Sequence, residues 1–318
     1  MTELYLMPEL APLTKLLNDP ETTEILVNSA QHIYFEKHGQ LKRSGDVFVS
    51  AEHYLTAIDR LTESCLTFLN REKPFIETQA GEWRLTLIFS EISGRSPLLS
   101  MRRRSPIPWN LEKLCAANWC GMAEYELLTE ALATKRNILV VGPTTSGKTT
   151  VLQALLHSLD ANERVLIIED TQELHLPNQA SASLLTRSHI NANVGAIGLT
   201  ELIQKALRLR PDRLVLGEVR GPEAYALLLA LSTGHEGSFG SLHARNTQEA
   251  LLRLEMLVQL GAPNWSLQSI RRLISLSLDL IITVEKTPQG RRLKEIARLH
   301  SAEEMGITTE KLFYTGFT

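Results

Sequence analysis

The sequence predicts an α/β protein: a mainly parallel sheet with flanking helices, preceded by a small α+β domain. Three observations predict it. Beyond residue 120, apolar strand-like runs alternate with helical stretches, the pattern of a parallel sheet covered on both faces. Before residue 104, short β-rich runs surround a single helical stretch. Between them, Arg102-Arg103-Arg104-Ser105-Pro106-Ile107-Pro108 sets three arginines beside two prolines, which breaks regular structure and keeps the segment solvated. The expected organisation is an N-terminal domain over 1–103, a linker over 104–120 and a second domain over 121–318.

In the first part, Ile25-Leu26-Val27 and Ile33-Tyr34-Phe35 read as strands, separated by the turn-like Asn28-Ser29-Ala30. His38-Gly39-Gln40 reads as a tight turn into another short strand. From Ala51 to Leu69, apolar residues at Leu55, Ile58, Leu61, Cys65, Leu66 and Leu69 predict one helix. Strands follow at Phe75–Thr78, Trp83–Phe89 and Leu98–Met101. The second part predicts helix 121–135, strand 137–141, helix 148–158, strand 164–169, helix 199–208, strand 213–217 and helix 221–231.

Composition excludes several classes. Lys+Arg 33 against Asp+Glu 36 is a near balance that argues against nucleic-acid binding through bulk charge. Cys65, Cys115 and Cys120 are too few and too scattered for a disulfide framework or a four-cysteine zinc site, and they suit a reducing compartment. Met1-Thr2-Glu3-Leu4-Tyr5 lacks the basic start of a signal peptide. Ile138–Val141 and Tyr225–Leu231 are the most apolar stretches, far below the roughly 20 residues that span a bilayer. The expectation is a soluble, cytoplasmic protein that meets any membrane through a partner.

Asn137-Ile138-Leu139-Val140-Val141 runs straight into Gly142-Pro143-Thr144-Thr145-Ser146-Gly147-Lys148-Thr149, and Thr150-Val151-Leu152 continues as helix. Strand, glycine loop, helix is the setting in which this octapeptide pattern binds nucleotide phosphates. Glycines let backbone N–H groups turn inward, and the helix N-terminus adds partial positive charge. Lys148 reaches the β- and γ-phosphates of ATP, and the Thr149 hydroxyl binds Mg²⁺.

Acidic residues narrow the chemistry. Leu214-Val215-Leu216-Gly217-Glu218 is an apolar strand that ends in a carboxylate. There Glu218 is placed to orient and polarise an attacking water; the alternative is a carboxylate facing the dipole of the 221–231 helix. Gly217 replaces the usual metal-binding aspartate, so Mg²⁺ relies on Thr149, phosphates and water, with help from the second acidic strand as an alternative. A second buried run, Arg164 to Ile168, leads into Glu169-Asp170-Thr171-Gln172-Glu173, whose three acids either hold a metal-bound water or supply Glu169 as an auxiliary base, while Glu173 alone reads as a solvated turn residue. In Thr233-Gly234-His235-Glu236-Gly237-Ser238-Phe239-Gly240-Ser241-Leu242-His243, Phe239 occupies the place of the second histidine of a zinc protease. The stretch reads instead as a glycine-rich loop into a strand ending at His243, where a neutral imidazole senses the γ-phosphate.

These four stretches, in this order, resemble the secretion ATPases of the type II/type IV secretion and type IV pilus superfamily. The run from Ala206 to Gly221 and the pair Thr233–Ser238 and Leu242-His243-Ala244 carry the resemblance most strongly, and it covers roughly residues 13–299. The wording is closest to the Tad-pilus (CpaF-type) and conjugative branch, through Thr23–Asn28, Ser100–Arg103, Asp279–Ile282 and Gly290–Arg292. The resemblance implies a RecA-like P-loop domain, a homo-hexameric ring and ATP held between two domains. It implies an inner-membrane platform protein as partner, and a cytoplasmic place peripheral to that membrane. Arginines of the N-terminal domain, at the matching positions Arg84 and Arg102 with Arg103 as a substitute, approach the γ-phosphate. Arg208 and Arg210 serve from the second domain or a neighbour, and His235 joins the nucleotide site. Thr145 stands where most members have glycine, and Glu236 replaces an aspartate. The same motifs would serve a retraction motor of the superfamily. A nucleic-acid-translocating P-loop ATPase is the competing class, and the chain lacks the aromatic and basic stripe such channels carry.

Overall fold

Alternating side chains organise the first sheet: Trp83, Leu85 and Leu87 are buried while Arg84, Thr86 and Ile88 are not. The computed structural model describes residues 4–104, 109–187, 195–300 and 306–315. Its chain divides into two compact units, Met1–Ile107 and Pro108–Thr318.

In the first unit, β1 (Thr22–Ser29), β2 (His32–Lys37), β3 (Gln40–Arg43), β4 (Phe75–Ala80), β5 (Trp83–Ile88) and β6 (Leu98–Arg103) form one antiparallel sheet in the order β3-β2-β1-β6-β5-β4. His38 and Gly39 both take positive φ, as a two-residue hairpin turn requires. Short helices α1 (Thr14–Asn18) and α3 (Ser90–Ser93) accompany the long α2 (Ala51–Ser64), whose Tyr54, Ala57, Ile58 and Leu61 pack on Ile25, Val27, Leu85 and Met101. The periodicity predicts this helix to Leu69, but it stops at Ser64. Leu66 turns left-handed at φ 55, Thr67 N–H bonds Thr62 O, and Leu66 N–H bonds Glu63 O. That is a Schellman closure made without glycine. Cys65 and Leu69 still pack against the core, which is why the apolar period outlasts the helix.

In the second unit, β7 (Ile138–Gly142), β8 (Val165–Glu169), β9 (Ala182–Leu185), β10 (Arg213–Val219), β11 (Phe239–His243), β12 (Leu280–Thr287), β13 (Gly290–Leu299) and β14 (Thr309–Tyr314) form a sheet ordered β14-β13-β12-β7-β11-β10-β8-β9. Pairs from β12 through β9 are parallel, and β13 and β14 add antiparallel strands at one edge. One face packs on α7 (Leu199–Ala206), α8 (Glu223–Ser232), α9 (Thr247–Gly261) and α10 (Leu267–Ser277). The other packs on α4 (Leu111–Ala116), α5 (Met122–Ala133) and α6 (Lys148–Leu156). Of the stretch expected as linker, Ser105 to Pro108 lie outside the described residues. Its later part carries α4, whose Leu111 and Leu114, with Trp119, enter the core of this unit.

The edge where the parallel strands begin is tied by one arginine. Arg213, 2% exposed, pairs its Nε and Nη2 with the Glu163 carboxylate at 2.5 and 2.9 Å. Its remaining N–H groups reach Gly237 O and Leu132 O, each at 2.9 Å. Gly237 is left-handed at φ 77, and a side chain there would collide with the guanidinium. Removing Arg213 leaves a carboxylate and two carbonyls without their donor, so Arg213→Ala should lower stability by about 3 kcal/mol in urea denaturation.

Candidate functional site

Parallel pairing gathers strand ends at one edge. Gly142 of β7 stands opposite His243 of β11, Leu242 of β11 opposite Val219 of β10, and Leu216 of β10 opposite Ile168 of β8. The carboxyl ends of such strands form the ligand crevice of open α/β sheets.

The glycine loop lies at that edge. A Cβ on Gly142 would meet Val284 O at 2.7 Å, so the strand can leave the sheet there only as glycine. Gly147, at φ 100, turns the chain into α6. Lys148 opens α6 and is 8% exposed. Its ammonium donates to Gly142 O at 3.1 Å, Pro143 O at 3.2 Å and His243 Nδ1 at 3.0 Å. Burial pushes its pKa down to about 8, although the Glu218 charge opposes the shift. Because Nδ1 accepts from Lys148, the proton of a neutral His243 is assigned to Nε2. Burial and the Lys148 charge depress the His243 pKa and favour that neutral ring.

His243 Nε2 lies 2.9 Å from Glu218 Oε1. The contact lacks hydrogen-bond alignment, and Oε1 has no other partner among the described residues. Glu218 Oε2 accepts from Arg220 Nη2 at 2.6 Å, and Arg220 Nη1 reaches Asp170 Oδ2 at 3.6 Å. Burial raises the Glu218 pKa, but the bonded Arg220 and the charges of His243 and Lys148 outweigh it and hold the carboxyl below its ordinary range. The alternative task for Glu218, facing the helix after it, falls to Glu223. That carboxylate accepts from Arg220 N at 2.6 Å and Gly221 N at 2.7 Å at the start of α8. Glu218 is therefore left for the crevice.

The other acids divide. Glu169 is buried, and its Oε1 accepts from the N–H groups of Glu173 and Leu174, each at 3.1 Å. It shapes the acidic turn that follows β8. Glu173 Oε2 instead accepts from Thr149 Oγ1 at 3.3 Å, so the acid expected in a solvated turn stands beside the hydroxyl expected to bind Mg²⁺. Two oxygen donors suit Mg²⁺, which keeps waters and phosphate oxygens in its shell. Among the described residues, no group of three metal-ligating side chains forms.

Three expected residues are not brought to the loop. His235 precedes β11, at the strand's opposite end from His243, and its Nδ1 lies 3.3 Å from Ala230 O of α8. Arg208 and Arg210 are exposed residues just before β10, at its entering end and away from Glu218. In the first unit, Arg84 and Arg102 are direct cross-strand partners on β5 and β6. Arg103 points to the other face, bonds the carbonyls of Asp19 and Leu17, pairs with Glu82 at 3.1 Å and stacks over Trp83. It is spent on its own unit and cannot substitute for them.

Sequence reasoning assigned no role to Arg220. Its signal was present, since residues two apart on an extended chain share a face, which sets Arg220 beside Glu218. Arg291 was missed too. Its Nε donates to Thr145 O at 3.0 Å, from a hairpin far along the chain, and nothing local marks it.

The type II/IV secretion system protein family model matches residues 96–308. The chain belongs to the type II/IV secretion system protein family. As a member, it is an ATPase. It is 31% identical over 299 residues to a putative conjugal transfer protein of Mycobacterium tuberculosis, covering 92% of this chain and 84% of that one. It is 28% identical to the conjugal transfer protein TrbB of Rhizobium radiobacter, covering 92% and 88%. Among solved structures, the pilus retraction motor PilT with bound ADP is similar in fold, with a TM-score of 0.67 at 20% identity over 96% of this chain and 84% of that one. The ATPase DotB of Legionella pneumophila has a TM-score of 0.63 at 18% identity, covering 92% and 80%.

A buried lysine poised near pH 8 makes phosphate binding depend on protons. Bound phosphate raises the ammonium pKa, so the complex holds its proton more tightly and affinity falls as pH rises through 8. Calorimetric titration should show ADP binding weakened roughly tenfold between pH 7 and pH 9, with proton uptake at the higher pH. A Kd constant over that range would contradict the assignment of Lys148.

Proposed function

We propose that this family member is a homo-hexameric motor of the conjugative and Tad-pilus branch, powering secretion or pilus assembly at the inner membrane against a platform protein. Two observations support the branch: curated relatives carry conjugal-transfer names, and the Thr23–Asn28 and Gly290–Arg292 wording matches it. No helix among the described residues is long and apolar enough to cross a membrane, which agrees with attachment through a partner.

The chain of contacts from Lys148 through His243 to Glu218 carries the ATPase mechanism. When the β- and γ-phosphates enter the loop, Lys148 exchanges Gly142 O, Pro143 O and His243 Nδ1 for phosphate oxygens. His243 is thereby released to turn toward the new charge, so its position reports the γ-phosphate. Glu218, kept ionised by Arg220, accepts the proton of a water whose oxygen bonds to the γ-phosphorus. The bond between that phosphorus and the bridging oxygen breaks, leaving ADP and phosphate. Thr149 Oγ1 and Glu173 would hold a Mg²⁺, whose chemistry is to neutralise phosphate charge. Arg84 and Arg102 stand directly opposite each other on β5 and β6, and Arg84 also pairs with Glu77 at 3.3 Å. Their role as arginines that approach the γ-phosphate rests on the family resemblance.

Glu218→Gln should cut ATP turnover by at least ~100-fold while keeping ADP affinity, because it removes the base and not the loop. Lys148→Ala should lose binding itself. Normal turnover in Glu218→Gln would remove that residue from the mechanism. Deleting the gene should abolish appendages or conjugal transfer; excess appendages would mark a retraction motor instead.

A further inference from the structure

The phosphate loop contains a residue that its backbone does not suit. Thr145 sits at φ 62, in the left-handed region. A β-branched residue there is an outlier, because its Cβ crowds the backbone that glycine would leave clear. Such a conformation persists only where its surroundings over-determine it.

Arg291 supplies that determination. It lies at the start of β13, just past the turn from β12, and Thr287 Oγ1 closes that turn on Gly290 O at 3.0 Å. β12 pairs directly with β7, with Ile282 opposite Val140 and Thr283 opposite Val141, so the hairpin continues alongside the loop. From there Arg291 Nε donates to Thr145 O at 3.0 Å. Its stem packs along the loop as well, since a Cβ on Gly147 would meet Arg291 Cδ at 3.1 Å. The neighbouring Arg292 is paired with Glu285 at 2.9 Å, whereas no carboxylate among the described residues lies within ion-pair distance of Arg291. Its hydrogen bond is to the strained residue.

We propose that Arg291 is a positioning residue for nucleotide binding: it holds Thr145 left-handed and the phosphate loop in its receiving form. The proposal rests on the reading of this loop as the ATP site. Thr145 and Arg291 are then a matched pair, one imposing strain and the other offsetting it. Glycine at 145 would make the clamp dispensable. Without the clamp, Thr145 relaxes toward ordinary φ, the receiving form becomes a minor population, and apparent affinity falls by that fraction.

A fluorescent ADP analogue, titrated into the full chain and its variants, tests the pair. Arg291→Ala and Arg291→Gln should weaken binding by roughly tenfold, the factor that one ordinary net hydrogen bond corresponds to. In ATP turnover, KM should rise more than kcat falls. Adding Thr145→Gly to Arg291→Ala should recover most of the lost affinity, which a direct guanidinium contact to nucleotide would not allow. Arg291 is exposed, so circular dichroism melts without nucleotide should stay near those of the unaltered chain. Unaltered binding in Arg291→Ala overturns the proposal. So does a double variant as weak as Arg291→Ala, which assigns the guanidinium to the nucleotide itself. Lys148→Ala separates the two levels: an unaltered chain with no binding for it to abolish ends the ATP-site reading and this role together.

Discussion

An ammonium group cannot be buried without partners, and Lys148 meets that demand with two carbonyls and a ring nitrogen. The consequence passes along the site. A donor at Nδ1 sets the His243 proton on Nε2, facing Glu218. The second Glu218 oxygen is taken by Arg220, which extends toward Asp170. The links come from the ends of four strands, Glu218 and Arg220 sharing that of β10, so the chain exists only because β7, β11, β10 and β8 lie side by side in parallel register. The same burial that depresses the lysine pKa keeps it ready to exchange those partners for phosphate.

The opposite edge of the sheet has a different job. Asn137 Oδ1 accepts from Ser238 N at 3.1 Å, Ser238 Oγ accepts from Leu214 N at 2.9 Å, and Arg213 binds Gly237 O. These contacts join the starts of β7, β10 and β11. The glycine and histidine stretch that runs into β11 therefore divides: its first half closes the sheet, and its last residue, His243, meets Lys148 of the phosphate loop. His235 belongs to the closing half, beside the end of α8.

Legibility followed the range of the interactions involved. The strand, glycine loop and helix of the phosphate site lie within about twenty residues, and each element states its own period. The continuous apolar runs of β7, β8 and β10 were legible for the same reason, since both faces of these strands are buried. The long α9 was not. It buries Leu251, Leu254 and Val258 yet exposes Leu252, Met256 and Leu260, so apolar residues surround it and blur its single-faced period. α2 erred in the other direction, because residues past its end still pack on the core.

By itself the sequence determined which groups are chemically capable: a phosphate loop, a carboxylate closing an apolar strand, histidines in a glycine-rich stretch and a threonine where glycine is usual. Only the tertiary structure decided which of them meet. His235 and His243 are separated by one strand, and that strand carries them to opposite edges. Glu169 and Glu173 share one acidic turn, yet backbone N–H groups claim the first and Thr149 the second. Arg291 reaches Thr145 across 146 positions because β12 pairs with β7, a contact created by sheet order and invisible to any local pattern.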